Sequence, residues 1–128
     1  MQEDKFVYEY AIIRFVPKVE REEFMNVGVI MFCKAKRFIK IKYHINEQLF
    51  EAFAPDIAIE EVRSYLKAWE EVCIGGKHGG VIGEQDVPSR FRWLTATRST
   101  LLQSSKVHPG MCVALENILE QLYDKYVK

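Results

Sequence analysis

Residues 27–33 are apolar at almost every position, whichever face of a strand each would occupy. Val27, Val29 and Met31 point one way, and Ile30 and Phe32 the other. A strand that is oily on both sides must be covered on both sides, so the chain has to build a sheet around it. Two neighbouring segments supply partners. In residues 6–16 one face holds Phe6, Tyr8, Tyr10, Ile12, Arg14 and Val16, and the other holds Val7, Glu9, Ala11, Ile13 and Phe15. This predicts a second strand, mostly apolar on each face and stopped by Pro17, which cannot donate to a ladder. Residues 38–45 alternate cleanly, with Ile39, Ile41, Tyr43 and Ile45 opposed to Lys40, Lys42 and His44. They predict a hairpin with 27–33 and one wet face. Residues 18–25 read as a connecting turn or a single helical turn.

The period then changes. Asn46 is suited to cap a short helix through Phe53, and Pro55-Asp56 supplies a break and a new N-cap. Ile59, Val62, Leu66, Trp69 and Cys73 recur at steps of three and four, which predicts one face of a longer helix. Gly75-Gly76 ends it. Five of the seven glycines lie between positions 75 and 83, a stretch read as mobile or lid-like. Residues 100–103 suit a fourth, short strand. After Pro109-Gly110, the residues Leu115, Ile118, Leu119, Leu122 and Tyr126 outline a last amphipathic helix. Strands first and helices after predict an α+β fold: an antiparallel sheet of three or four strands packed on two main helices in a two-layer sandwich. With 128 residues and no linker or repeat, residues 1–128 are expected to be one domain.

Composition narrows the function classes. Eighteen basic and eighteen acidic side chains cancel, so no global field draws the chain to nucleic acid or anionic lipid. Three cysteines without a CxxC spacing argue against a disulfide framework or a zinc site, and three histidines show no metal-ligand spacing. No metal and no cofactor is expected. The absence of a leader-like N-terminus or a long apolar run makes a cytoplasmic protein without a membrane segment the expectation.

The chemistry-bearing residues fall in two places. Arg14 shares a strand face with tyrosines and isoleucine, where a guanidinium must pair or reach water. Its plain reading is an ion pair with Glu22, Glu23 or Glu9; its functional reading is anion or partner binding. Asn26, just before the central strand, is more simply a turn residue whose amide satisfies backbone. Farther on come Arg90, Phe91, Arg92, Trp93, Arg98, Ser99 and His108, within residues 87–115, which contain no acid. Residues 24–46 are also acid-free and hold Lys34, Lys36, Arg37, Lys40 and Lys42. Together these would make a basic, ring-bearing surface of the kind that holds nucleotides or single strands. The plain alternative is a solvated sheet face with scattered arginines. The glycine-rich run matches neither GxxxxGK[ST] nor GxGxxG, and no nucleophile elbow surrounds Ser99, Ser104 or Ser105. Nothing in the residues demands an enzyme.

The same two segments carry a resemblance. Tyr10, Arg14, Pro17, Arg21, Glu23, Asn26, Val27, Gly28 and Val29, with Arg90, Phe91, Trp93, Leu94, Arg98, Ser99, His108 and Gly110, resemble the two motifs of the bacterial domain-of-unknown-function family 3037. Members often carry proline where this chain has Thr97 and Lys106, which implies a less rigid second loop here. The resemblance brings no activity. It implies a gene-neighbourhood association with kinases similar to the HipA toxins, and hence a binding or accessory protein acting through a protein partner. The competing expectation is a nucleotide- or nucleic-acid-handling protein, with hydrolysis open, that uses an Arg/Trp/His cluster. For the partner or ligand site the candidates are Arg14, Asn26, Arg90, Trp93, Arg98, Ser99 and His108. The two motifs are expected to meet, with Arg14 or Asn26 near Arg98, Ser99 or His108.

Overall fold

In a computed structural model, which describes residues 4–96 and 100–128, the three leading segments form one antiparallel meander. Strands β1 (Phe6–Phe15), β2 (Met25–Cys33) and β3 (Phe38–Tyr43) pair in order, with β2 between the other two. The connection from β1 to β2 is a single 3-10 turn, Val19–Arg21. Opposite Ile13 and Arg14 of β1 stand Gly28 and Asn26, so Val27 is an extra residue in β2 and the ladder bulges there. Val29, Ile30, Met31 and Cys33 are completely buried, as two-sided apolarity requires.

The far side of β1 is shared by two short strands laid end to end. Strand β4 (Leu102–Ser104) pairs with Ile13–Phe15, and β5 (His108–Cys112) pairs with Phe6–Tyr10. The fourth strand thus lies slightly later than residues 100–103, and β5, a strand not expected from the sequence, runs through Pro109-Gly110. Pro109 is tolerated because, among the described residues, β5 pairs with β1 alone.

Helices cover both faces of the sheet, which corrects the two-layer expectation. On one face lie α1 (Glu47–Phe53), α2 (Ile59–Ile74) and α4 (Val87–Thr95), closing a core on Ala11, Ile13, Phe15, Ile30 and Phe32. Phe91 of α4 stacks on Phe32 at 4.9 Å, and Phe50 of α1 on Phe15 at 5.0 Å. On the other face α5 (Leu115–Tyr126) sets Leu119 against Ile12, Val29 and Met31. The lysine face of β3 is therefore not simply wet. Lys40 pairs with Glu116 at 2.7 Å and Lys42 pairs with Glu120, both from α5.

Local signals fix most of the boundaries. The Asn46 side chain accepts from Leu49 N at 3.1 Å and starts α1. Asp56 does not cap α2; Ala58 stands at that position with no side-chain bond. Asp86 starts α4, accepting from Ser89 N at 2.8 Å, and bonding to Ser89 holds its carboxyl below the ordinary value. That cap, followed by Pro88 in the first turn, was a readable sign of a helix in the second motif.

The glycine-rich stretch is neither lid nor loose loop. It folds into a 3-10 turn, Lys77–Gly79, and the short α3 (Gly80–Gly83), drawn shut by Gly76 N donating to Gly83 O at 2.9 Å. A Cβ on Gly83 would lie 2.6 Å from Gly76 O, so the closure requires a residue without one.

Candidate functional site

Among the described residues, the arginines and the tryptophan of the second motif do not converge on one site. Arg90, Arg92 and Trp93 leave α4 in three directions. Arg90 is only 9% exposed and runs under the end of α2, where its Nη1 donates to Val72 O and Cys73 O, each at 2.8 Å. These are carbonyls of the helix's last turn, which lack intrahelical partners and carry the negative end of its dipole. Arg90 is thus a buried helix cap. Arg92 turns outward to Glu9, with Nη2 at 3.0 Å from Oε1 and Nη1 at 2.5 Å from Oε2. Arg98 and Ser99 lie outside the described residues.

In the first motif, Arg14 pairs with none of the three expected acids, Glu9, Glu22 and Glu23. Glu23 pairs with Arg21 and Glu9 with Arg92, while the Arg14 guanidinium sits 4.1 Å over the Phe24 ring. Among the described residues no carboxylate forms an ion pair with it. Asn26 donates its amide to Tyr126 O at 3.1 Å, tying the end of α5 to the bulge in β2. It does satisfy backbone, as expected, though from a strand and across the fold. Arg14 Nε and Asn26 Oδ1, like Arg90 Nε, are buried without a hydrogen-bond partner among the described residues.

The motifs meet through the sheet rather than around a ligand. His108 stands opposite Tyr10, and Gln103 opposite Arg14. Four residues of strand, roughly 13 Å, separate the levels of His108 and Arg14. Gly110 is explained by the same pairing. It faces Tyr8, whose ring occupies the space a side chain at position 110 would need.

What the structure does form is an apolar cleft of about 780 Å³ between α2, the glycine-rich turn, the end of α4, the β1–β2 connection and residues 100–102 leading into β4. Buried Trp69, Val72, Leu94 and Leu102 make its inner wall. Val19, Tyr65 and Trp93 line it while remaining 42%, 44% and 43% exposed. Its described lining includes no Asp, Glu, Lys or Arg; His78 and Thr100 are its polar members besides Tyr65 and Trp93. Among the described residues, Trp93 is the one sequence candidate on it. Tyr65 and Ala68 were not singled out because they stand off the apolar stripe of α2 and read as ordinary surface positions.

The cysteine thiols are not exposed nucleophiles. All three cysteines are free and buried, and burial pushes the Cys73 thiol up to about 12. Its ordinary value is 9.0, so above that pH the unfolded chain loses a proton that the folded chain keeps. Stability should therefore fall as pH rises above about 9. Urea titrations at pH 8 and pH 10 check this, with Cys73→Ala removing part of the fall. Among the described residues no group of three or more His, Cys, Asp or Glu is placed to hold a metal ion, and no helix is long and apolar enough to cross a membrane.

No curated protein and no solved structure matches the chain significantly. The profile of one family, described as "Protein of unknown function (DUF3037)", matches residues 10–127 and so takes in both motifs, the whole of β2 to β5 and the cleft between them. On that match over nearly its whole length, the chain belongs to the DUF3037 family.

Proposed function

We propose that this chain is a cytoplasmic binding module that receives an apolar segment of a protein partner in the cleft beside Trp93. The observation that carries this reading is the cleft's chemistry: it is uncharged along its described lining and edged by half-open aromatic side chains. Enclosed small-molecule sites bury most of the ligand. Three side chains left over two-fifths exposed suit a surface that a partner covers, and exposed aromatics are the usual anchors of such surfaces. The gene-neighbourhood association with HipA-like kinases that the resemblance implies makes such a kinase the first partner to test. An anionic ligand held by Arg90, Trp93, Arg98 and His108 has less support, because Arg90 is buried against Val72 O and Cys73 O and the neighbouring Arg92 is paired with Glu9.

The test is Ala68→Glu. Ala68 is an exposed position of α2 on the cleft wall, so the change places a charge there at little cost to the helix. Thermal unfolding should move by no more than about 2 °C. Affinity for a kinase partner, measured by calorimetry with the purified proteins, should fall at least tenfold, the equivalent of about 1.4 kcal/mol. Unchanged binding by the variant would remove the cleft from the interface.

A further inference from the structure

Helix α5 covers only part of its side of the sheet. It lies over β2 and β3 and reaches β1 at Ile12 and the inner sides of Tyr8 and Tyr10, and its acids Glu116 and Glu120 are committed to Lys40 and Lys42. Beside it, along β1 and β5, a row of rings remains. Tyr8 and Tyr10 have centroids 6.2 Å apart, and Tyr10 and His108 have centroids 5.4 Å apart. Tyr8 can spread over β5 because Gly110 offers no side chain beneath it. His108 is exposed, and Phe6, Tyr8 and Tyr10 are partly so.

The cations around this row are placed unusually. Lys36 sits 4.4 Å over the Phe6 ring, Arg14 4.1 Å over Phe24, and Lys125 5.2 Å over Tyr126. None of the three forms an ion pair among the described residues. One acid-free segment of the sequence, residues 24–46, thus supplies Lys36 to this side while its Lys40 and Lys42 are neutralised. Rings flanked by uncompensated positive charge complement a chain of planar rings joined by negative charges. From Phe6 to Arg14 the row spans eight residues of strand, roughly 27 Å or about four nucleotides, with Ile12, covered by Leu119 of α5, between the Tyr10 ring and Arg14.

We infer that this ledge binds single-stranded nucleic acid, with Tyr8, Tyr10 and His108 stacking on bases and Lys36 and Arg14 meeting phosphates. The site is separate from the cleft and lies on the opposite face of the sheet.

The probe is a labelled twelve-nucleotide single-stranded DNA, read by fluorescence anisotropy on the full chain, beside a duplex of the same sequence. The single strand should bind better than the duplex. Two phosphate contacts predict a log–log salt slope near −1.4, about a sevenfold loss from 50 to 200 mM salt. Tyr10→Ala and His108→Ala should each cost about tenfold, whereas Tyr10→Phe keeps the ring and should bind as the parent does. Arg14→Gln should make the slope shallower by about 0.7. Since Tyr10 also packs beside α5, the exposed His108 gives a variant that leaves folding intact. Ala68→Glu should bind the oligonucleotide normally, which keeps this result independent of the partner cleft. No binding at 50 mM salt, equal binding of duplex, or affinity unmoved by both His108→Ala and Arg14→Gln would overturn the inference.

Discussion

Arg90→Leu is expected to destabilise the fold by about 3 kcal/mol, lowering the thermal midpoint by roughly 10 °C. The guanidinium donates two charge-assisted bonds, and hydrogen bonds to a charged group contribute about 1.5–3 kcal/mol each before the loss is softened by relaxation. Leucine fills part of the volume but leaves Val72 O and Cys73 O facing an apolar side chain at the negative end of α2. Lysine should recover only part of the loss, because a compact ammonium is more costly to bury than a delocalised guanidinium. Circular dichroism during heating and in urea reads both variants. A midpoint within a degree or two of the parent would return Arg90 to the pool of binding residues.

Gly75→Ala should cost about 2 kcal/mol, and its cost should not add to that of Arg90→Leu. Gly75 has φ +87° and ψ 171°, a conformation open in practice to glycine alone, so a side chain there carries strain of order 1–3 kcal/mol. Its Cβ would also lie 2.7 Å from Arg90 Nη1, the atom that caps the helix. The methyl therefore disturbs the same two bonds that Arg90→Leu removes. Once they are gone, much of the second penalty has no object. A double-mutant cycle in urea measures the coupling, which should be at least 0.5 kcal/mol. Full additivity would mean that the strain is purely local to the backbone.

Much of the sheet was legible because its signals are periodic. Alternation in residues 38–45 and two-sided apolarity in 27–33 each depend on nearby residues, and the structure follows both. Helices α2 and α5 announced themselves by apolar residues three and four apart. Helix α4 did not, since the face it buries is Arg90, Phe91 and Leu94, and an arginine breaks an apolar period. Strand β5 was masked by Pro109 and Gly110, which edge pairing and the Tyr8 ring accommodate. The layer beneath α5 was hidden for a different reason. Lys40 and Lys42 look solvent-seeking until Glu116 and Glu120, more than seventy residues later, arrive four apart on a helix.

The candidate site shows the limit more sharply. Sequence reading pointed to the arginines of the second motif, but backbone carbonyls, the partners of Arg90, leave no mark in a sequence. Conversely, the cleft is built from residues such as Ala68 that no chemistry singles out. Trp93 was singled out as a stacking partner beside the arginines, a reason unrelated to the apolar cleft that it lines.

The end-to-end placement of β4 and β5 sets an order of events. The meander β1–β2–β3 joins neighbours in sequence, and such local pairing forms early. One whole edge of β1 then stays unpaired until residues 102–112 have been made and folded back. During that interval the inner face of β1, with Ala11, Ile13 and Phe15, stands beside an open row of backbone donors and acceptors. A nascent chain at this stage is a template for pairing with its neighbours, so the yield of folded protein turns on how quickly two strands of three and five residues close that edge.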